Sequence, residues 1–280
     1  MQIKFRWFGT ANYILELGNL RLHFDPFFFR NKDSFPELET KKEDIKDIDA
    51  IFISHGHFDH ITEAGWLAEN LEIPVYCSKI AKENIINHAE GKMIEDQKYS
   101  ISEDTKSRIK PCESLDKIQI SPEVSVELIK SEHVKFDLVT ILSRLFSWKF
   151  LKQIRSMAHL GKAFLMGEVF GFNTTFLDKK IISFGSLWHK YEDKLRKHEN
   201  CDIFIVPLAG NSKSHMVKKA GKMIDILKPK VVIPVHWDNF YPPISRLENL
   251  KPFYKYMGKN HPNILIMMPK IDEEILIEMI

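Results

Sequence analysis

Two β-sheets faced by helices, an α/β (α+β) sandwich, is the fold class that this 280-residue sequence predicts. Three observations predict it. Short apolar runs come in series, and helical stretches stand between only some of them. A composition of 44% hydrophobic and 28% charged residues is that of a globular protein. The length is ample for a core, and no Gly/Ser/Pro-rich linker interrupts the pattern, so residues 1–280 read as one domain.

The elements follow in order. Ile3, Phe5 and Trp7 share a face, which makes residues 2–8 a strand and not the continuous apolar stretch of a signal peptide. Gly9 breaks it, Tyr13–Leu17 follows, Gly18-Asn19 turns the chain, and Leu20–Phe24 returns, completing a β-meander. Pro26 stops that strand after Asp25. Residues 30–48 are polar, a surface loop with room for a short helix. Asp49–Ser54 is short and apolar, as a strand buried on both faces is. Helices are expected at Glu63–Asn70 and Lys79–His88, with a strand at Pro74–Cys77 between them. Further strands fit 107–111, 117–120, 124–130, 163–169, 172–177 and 180–184. The pattern then gives a strand at Asp202–Pro207, a helix at Met216–Leu227 and a strand at Val231–Val235. A helix near 244–257 and strands at 264–268 and 274–279 close the chain.

Charge and cysteine content exclude several classes. Forty Lys/Arg against 38 Asp/Glu leave a net +2, so no global field recruits nucleic acid. Three scattered cysteines, Cys77, Cys112 and Cys201, form neither C-x-x-C nor a disulfide framework. No run of about 18 apolar residues exists to span a bilayer. The expectation is a soluble, cytoplasmic protein. There is no G-x-S-x-G elbow, Walker loop or dinucleotide fingerprint.

Twelve histidines are the feature to explain. The strongest signal is Ser54-His55-Gly56-His57-Phe58-Asp59-His60, directly after the buried strand. A strand exit holds its last residues rigidly while the loop turns them to one point. Three imidazoles and a carboxylate offer the N and O donors that zinc, iron or manganese accept. Alternation lets His55 and His57 point together and leaves Asp59 and His60 for a second metal.

This motif resembles that of the metallo-β-lactamase-fold superfamily, a four-layer αβ/βα sandwich with metal ligands along one sheet edge. The other landmarks occur in the family's order over nearly the whole chain. By that resemblance Asp25 orients the histidine loop, His133 completes the first site with His55 and His57, and His236 joins Asp59 and His60 in the second. Taken alone, a histidine after a strand is usually a surface residue and Asp before Pro is usually turn chemistry. One landmark is missing: where the family has a bridging aspartate, this chain has Ser186, a neutral hydroxyl and a poor ligand. The first site should be intact and the second weaker, unless another residue such as His189 substitutes. The closest branch is that of the ascorbate-6-phosphate lactonase and N-acyl-phosphatidylethanolamine phospholipase D types, on Asp25-Pro26-Phe27 and the stretch from Ser214-His215-Met216 to Phe240. It makes His215 a substrate contact or proton shuttle, or else an ordinary helix N-terminal residue.

The resemblance implies a hydrolase in which bound divalent metal, zinc first and manganese or iron next, ionises a water that attacks an ester, lactone or phosphodiester. Asp59 would position that water or take its proton. Two alternatives stand beside it: a metal-binding protein whose turnover is reduced by Ser186, and a peripheral membrane phosphodiesterase acting on lipid. The last rests on Lys135–Lys162, where six basic residues meet one acid. In this segment Phe146, Phe150, Leu151, Ile154, Met157 and Ala158 share a helical face opposite Arg144, Lys149, Lys152 and Arg155. Such an insertion suits anionic lipid, or a lid over the site, which is the more common use of such a stripe.

Overall fold

The computed structural model describes residues 2–94, 98–134, 163–187, 192–209 and 212–278. The meander forms as the alternation predicts: β1 (Gln2–Trp7), β2 (Tyr13–Leu17) and β3 (Leu20–Phe24) pair antiparallel. From β3 the sheet continues in parallel through β4 (Ala50–Phe52), β5 (Val75–Cys77) and β6 (Ile109–Pro111). The C-terminal β14 (Glu274–Glu278) closes it against β1.

The second sheet repeats this scheme. Strands β7 (Lys117–Gln119), β8 (Val124–Ser131), β9 (Val169–Phe176) and β10 (Lys179–Phe184) are antiparallel. Strands β11 (Ile203–Pro207), β12 (Val231–Val235) and β13 (Leu265–Ile266) then add in parallel to β10. Strands β8, β10, β11 and β12 therefore run the same way, and their C-terminal ends share one edge.

Burial explains the layering. Phe5, Phe24 and Phe52 of the first sheet meet Phe172, Ile205 and Ile233 of the second in a central core. Phe24 and Phe172 pack edge to face with centroids 5.2 Å apart. Alternate residues of β4 turn outward, where Ile51 and Ile53 pack under α1 (Phe58–Ile61), α2 (Ala64–Leu71) and α3 (Lys79–Ala89). Phe204 and Val206 likewise pack beneath the longer helices Lys213–Leu227 and Lys251–Asn260. The result is helix, sheet, sheet, helix, the expected four layers.

Several expected boundaries move, for identifiable reasons. Residues 103–108 form a helix, α4 (Glu103–Arg108), where a strand from 107 is expected; Ser102 caps it by accepting Thr105 N–H at 3.1 Å. Residues 163–168 are not strand. Gly167, at φ +67°, turns the chain, and Phe164 is buried in the core under α1. A short helix, α5 (Glu192–Leu195), has no counterpart in the expectation. We number the two long C-terminal helices α6 (Lys213–Leu227) and α7 (Lys251–Asn260). Helix α7 starts seven residues later than expected, because residues 244–250 form the turns of a cleft wall. The expected insertion at 135–162 lies outside the described residues. Among the described residues no helix is long and apolar enough to cross a membrane.

Candidate metal centre

Six strand ends meet at one edge of the sandwich. Asp25 follows β3, the histidine loop follows β4, His133 follows β8, Gly185-Ser186 follows β10, Pro207 ends β11, and His236 follows β12. Parallel strands make this possible, since all present their C-terminal ends to the same crevice.

Two groups of donor atoms form there. One is His55, His57 and His133; the other is Asp59, His60 and His236; within each, the atoms all lie within 4.8 Å of one another. His55 Nε2 is 3.2 Å from His57 Nδ1. Tetrahedral zinc bonds of about 2 Å would separate neighbouring donors by roughly 3.3 Å, so this spacing fits a divalent cation. In the second group Asp59 Oδ2 lies 3.6 Å from both His60 Nε2 and His236 Nε2. These donor sets, imidazole nitrogen with one carboxylate oxygen, are those a divalent transition metal takes.

The surrounding hydrogen bonds orient the rings. Asp25 Oδ1 accepts Ser54 N–H at 2.6 Å, and its Oδ2 accepts Ser54 Oγ–H at 2.6 Å and His60 Nδ1–H at 2.8 Å. That fixes the tautomer of His60 and aims its Nε2 at Asp59. Ser54 Oγ in turn accepts His55 Nδ1–H at 3.0 Å, freeing His55 Nε2 for the first group. His133 Nδ1–H donates to Val134 O at 2.8 Å.

Ser54 was not singled out in the sequence, although its place beside His55 was a usable signal. Gly185 is a second omission. A Cβ there would collide with Ser54 Oγ and come within 2.7 Å of Asp25 Oδ2. The residue before Ser186 is therefore glycine for lack of room.

Ser186 Oγ accepts Val134 N–H at 2.9 Å. The hydroxyl thus braces the loop carrying His133, at the lining of the cleft. Asp25 is brought to the histidine loop as described. His215 sits exposed in the first turn of α6 with Nδ1 2.9 Å from Ser212 Oγ, and it does not line the cleft. His189 lies outside the described residues.

Electrostatics divides the two groups. Burial, and then the neighbouring imidazoles, push His55 well below the ordinary histidine value. Burial followed by His57 lowers His133 to about 4, and burial lowers His57 as well. These rings are neutral at pH 7, with lone pairs free for a metal. Burial alone would raise Asp59, but His60, then His236 and His57, outweigh it and hold the carboxyl well below its usual range. Burial would lower His60, yet Asp59 and Asp25 raise it. That second group pairs an ionised carboxylate with imidazoles, unlike the all-imidazole first group.

The groups open on a cleft of about 270 Å³. Phe58, Phe164, Leu187 and Phe240 wall it, and Arg246 and Glu248, paired at 2.9 Å, stand in its lining.

Comparison with known proteins agrees with this geometry. A family model described as "Beta-lactamase superfamily domain" matches residues 4–236. A UPF0173 metal-dependent hydrolase of Pyrococcus abyssi is 25% identical over 279 residues, covering 98% of this chain and all of its own. One from Pyrococcus horikoshii is 24% identical over 253 residues, covering 87% of this chain and 88% of its own. Among solved structures, Igni18, a metallo hydrolase of Ignicoccus hospitalis, superposes with a TM-score of 0.66 over all of both chains at 14% identity. A metallo-beta-lactamase fold protein of Bacillus subtilis gives 0.55 at 12% identity, over 98% of this chain and 99% of its own. These last two share the fold. The expectation of a metal-dependent hydrolase agrees with the names of the relatives. The matched span runs from β1 through the His236 that ends β12, and so takes in every strand end at the cleft: the chain belongs to the beta-lactamase superfamily.

Proposed function

We propose that this protein is a hydrolase dependent on a divalent metal, zinc by the character of its donors, acting on a small ester, lactone or phosphodiester. The observation that carries the reading is the convergence of two three-donor groups on one apolar-walled cleft. His55, His57 and His133 would hold one ion, and Asp59, His60 and His236 a second. When bound, a divalent cation supplies a water ionised near neutral pH and a Lewis acid for the developing oxyanion. Asp59 Oδ2, between His60 and His236, orients the nucleophile and accepts its proton. Asp25 and Ser54 keep His60 and His55 in the tautomers that ligation needs. The aromatic wall of Phe58, Phe164 and Phe240 excludes bulk water and receives the apolar part of a substrate. His215 enters only as a substrate contact or proton shuttle by resemblance.

One observation favours a second reading, a metal-binding protein of reduced turnover. Ser186 is occupied in bracing Val134 and brings no negative charge to the centre. Metal analysis of protein purified without added metal, with turnover assays on a generic ester, lactone and phosphodiester, separates the two. The hydrolase reading expects two equivalents and metal-dependent turnover of at least one class, abolished in His57→Ala. Full occupancy without turnover of any class establishes the second reading instead. The lipid alternative rests on residues 135–162, outside those described, and fails if the protein does not bind anionic liposomes.

A further inference from the structure

The histidines of the candidate centre are not all held in the same way. His55, His60 and His133 each have Nδ1 hydrogen-bonded, to Ser54 Oγ, Asp25 Oδ2 and Val134 O. His236 has none: its Nδ1 is buried and without a hydrogen-bond partner. Its ring touches Phe240, with centroids 5.1 Å apart, but a ring contact does not fix a tautomer or an azimuth as a hydrogen bond does. The aim of His236 Nε2 must therefore come from its backbone, which is in the left-handed region at φ +58°. A non-glycine residue holds that conformation only where its surroundings impose it.

His236 N–H donates to Thr10 O at 2.8 Å, and Thr10 N–H donates to Asp238 Oδ1 at 2.8 Å. Thr10 is itself left-handed, at φ +47°, and its carbonyl also accepts Trp7 Nε1–H at 2.9 Å. Asp238 Oδ2 pairs with Arg30 Nη2 at 3.3 Å, and both side chains are buried. The same Arg30 Nη2 donates to Pro36 O at 2.9 Å, which anchors the guanidinium. A Cβ on Gly9 would lie 2.5 Å from Arg30 Nη1 and 2.9 Å from Asp238 Oδ2, so the turn between β1 and β2 closes directly on the pair.

We infer that Asp238 is a positioning residue for the second metal site, setting the left-handed turn of His236 through Thr10, with Arg30 the cation that accompanies its carboxylate into the core. The inference rests on the two-site reading above. Asp238 supplies the acceptor that holds Thr10, and Arg30 compensates its buried charge. The N-terminal hairpin thus holds the backbone of His236, where Asp25 holds the ring of His60.

Zinc titration against a chromogenic chelator tests it, on full-length wild type, Arg30→Met/Asp238→Ala and Arg30→Met/Asp238→Asn, with circular dichroism and Tm on each. The alanine pair removes the acceptor for Thr10. It should lose about tenfold to a hundredfold in affinity for the second equivalent and stay within about twofold of wild type for the first. The asparagine pair keeps that acceptor and should recover most of the loss. An unchanged second equivalent in the alanine pair overturns the inference. So does an equal loss of both equivalents with a collapsed Tm, which is what a merely structural role produces. A wild type that takes up a single equivalent overturns the two-site reading itself, and the control shows it before any variant is made.

Discussion

Asp25 shows how much of this site hangs on one carboxylate. It takes three hydrogen bonds from Ser54 and His60 in a left-handed conformation at φ +45°. Asp25→Ala would leave Ser54 N–H and His60 Nδ1–H without their acceptor, and His60 free to rotate. Outer hydrogen-bond partners of ligand histidines are typically worth tenfold to a hundredfold in metal affinity. A loss of about that size is expected at the Asp59, His60 and His236 group, read by competition with a chelator. An unchanged affinity would mean that packing alone orients His60. Asp25 was legible in the sequence through the order of landmarks. Gly185 and the bonds of Ser54 to Asp25 were not, because these are contacts across 29 residues or more of chain.

At the scale of elements, the histidine loop is tied down by segments that lie far from it in sequence. Asn84 of α3 donates its amide to Gly56 O at 2.9 Å and to Leu165 O at 2.7 Å, while Gly56 N–H donates to Met166 O at 2.8 Å. One helix thereby clamps both the loop of metal donors and residues 163–168. Asn84→Ala leaves two carbonyls unsatisfied and should lower unfolding free energy by about 1–3 kcal/mol, read from the urea midpoint. It should also speed proteolysis around residue 165. No change in either would show that solvent replaces the amide at no cost. The strand assignment of 163–169 fails for the same physical reason. Phe164 lines the cleft, while Leu165 and Met166 are exposed and give their carbonyls to the clamp rather than to a sheet. The late start of α7 has a similar origin, since Ile244, Ser245 and Arg246 line the cleft and cannot also join a helix packed on β12.

For the whole molecule, buried histidines outside the centre set an acid limit. His23 lies under Phe8 and Phe28 with Nε2–H donating to Asn12 Oδ1 at 2.7 Å. Burial, and then Arg21, lower it to about 3; burial and then Lys42 lower His88 to about 4. Both rings are neutral when folded and titrate near 6.5 when unfolded. Their contribution is therefore complete above pH 6.5 and is lost as pH falls toward 4 and then 3. Each removes up to about 1.4 kcal/mol per pH unit in that window. Urea midpoints at pH 7.5, 6 and 5 should fall accordingly, and His23→Gln should reduce the slope by about one such increment. A slope unaltered in the variant would mean that His23 can protonate in place. Neither ring carries a role legible in the sequence, since a histidine in a strand (His23) or a helix (His88) looks like any other until the layers packed on it are known.

What the sequence determined by itself is local. Alternation fixed the strands of the meander, the apolar runs fixed β4, β11 and β12, and four of the six proposed metal donors lie within six residues, so their convergence needs only a strand exit. What tertiary structure alone decided is the pairing of distant groups: Ser186 with Val134, Asn84 with Gly56, and Arg30 with Asp238 beneath the turn that carries His236. A hydrogen bond or ion pair depends on distances of about 3 Å, and residues some 200 positions apart reach such distances only after two sheets have packed and brought their strand ends to one edge.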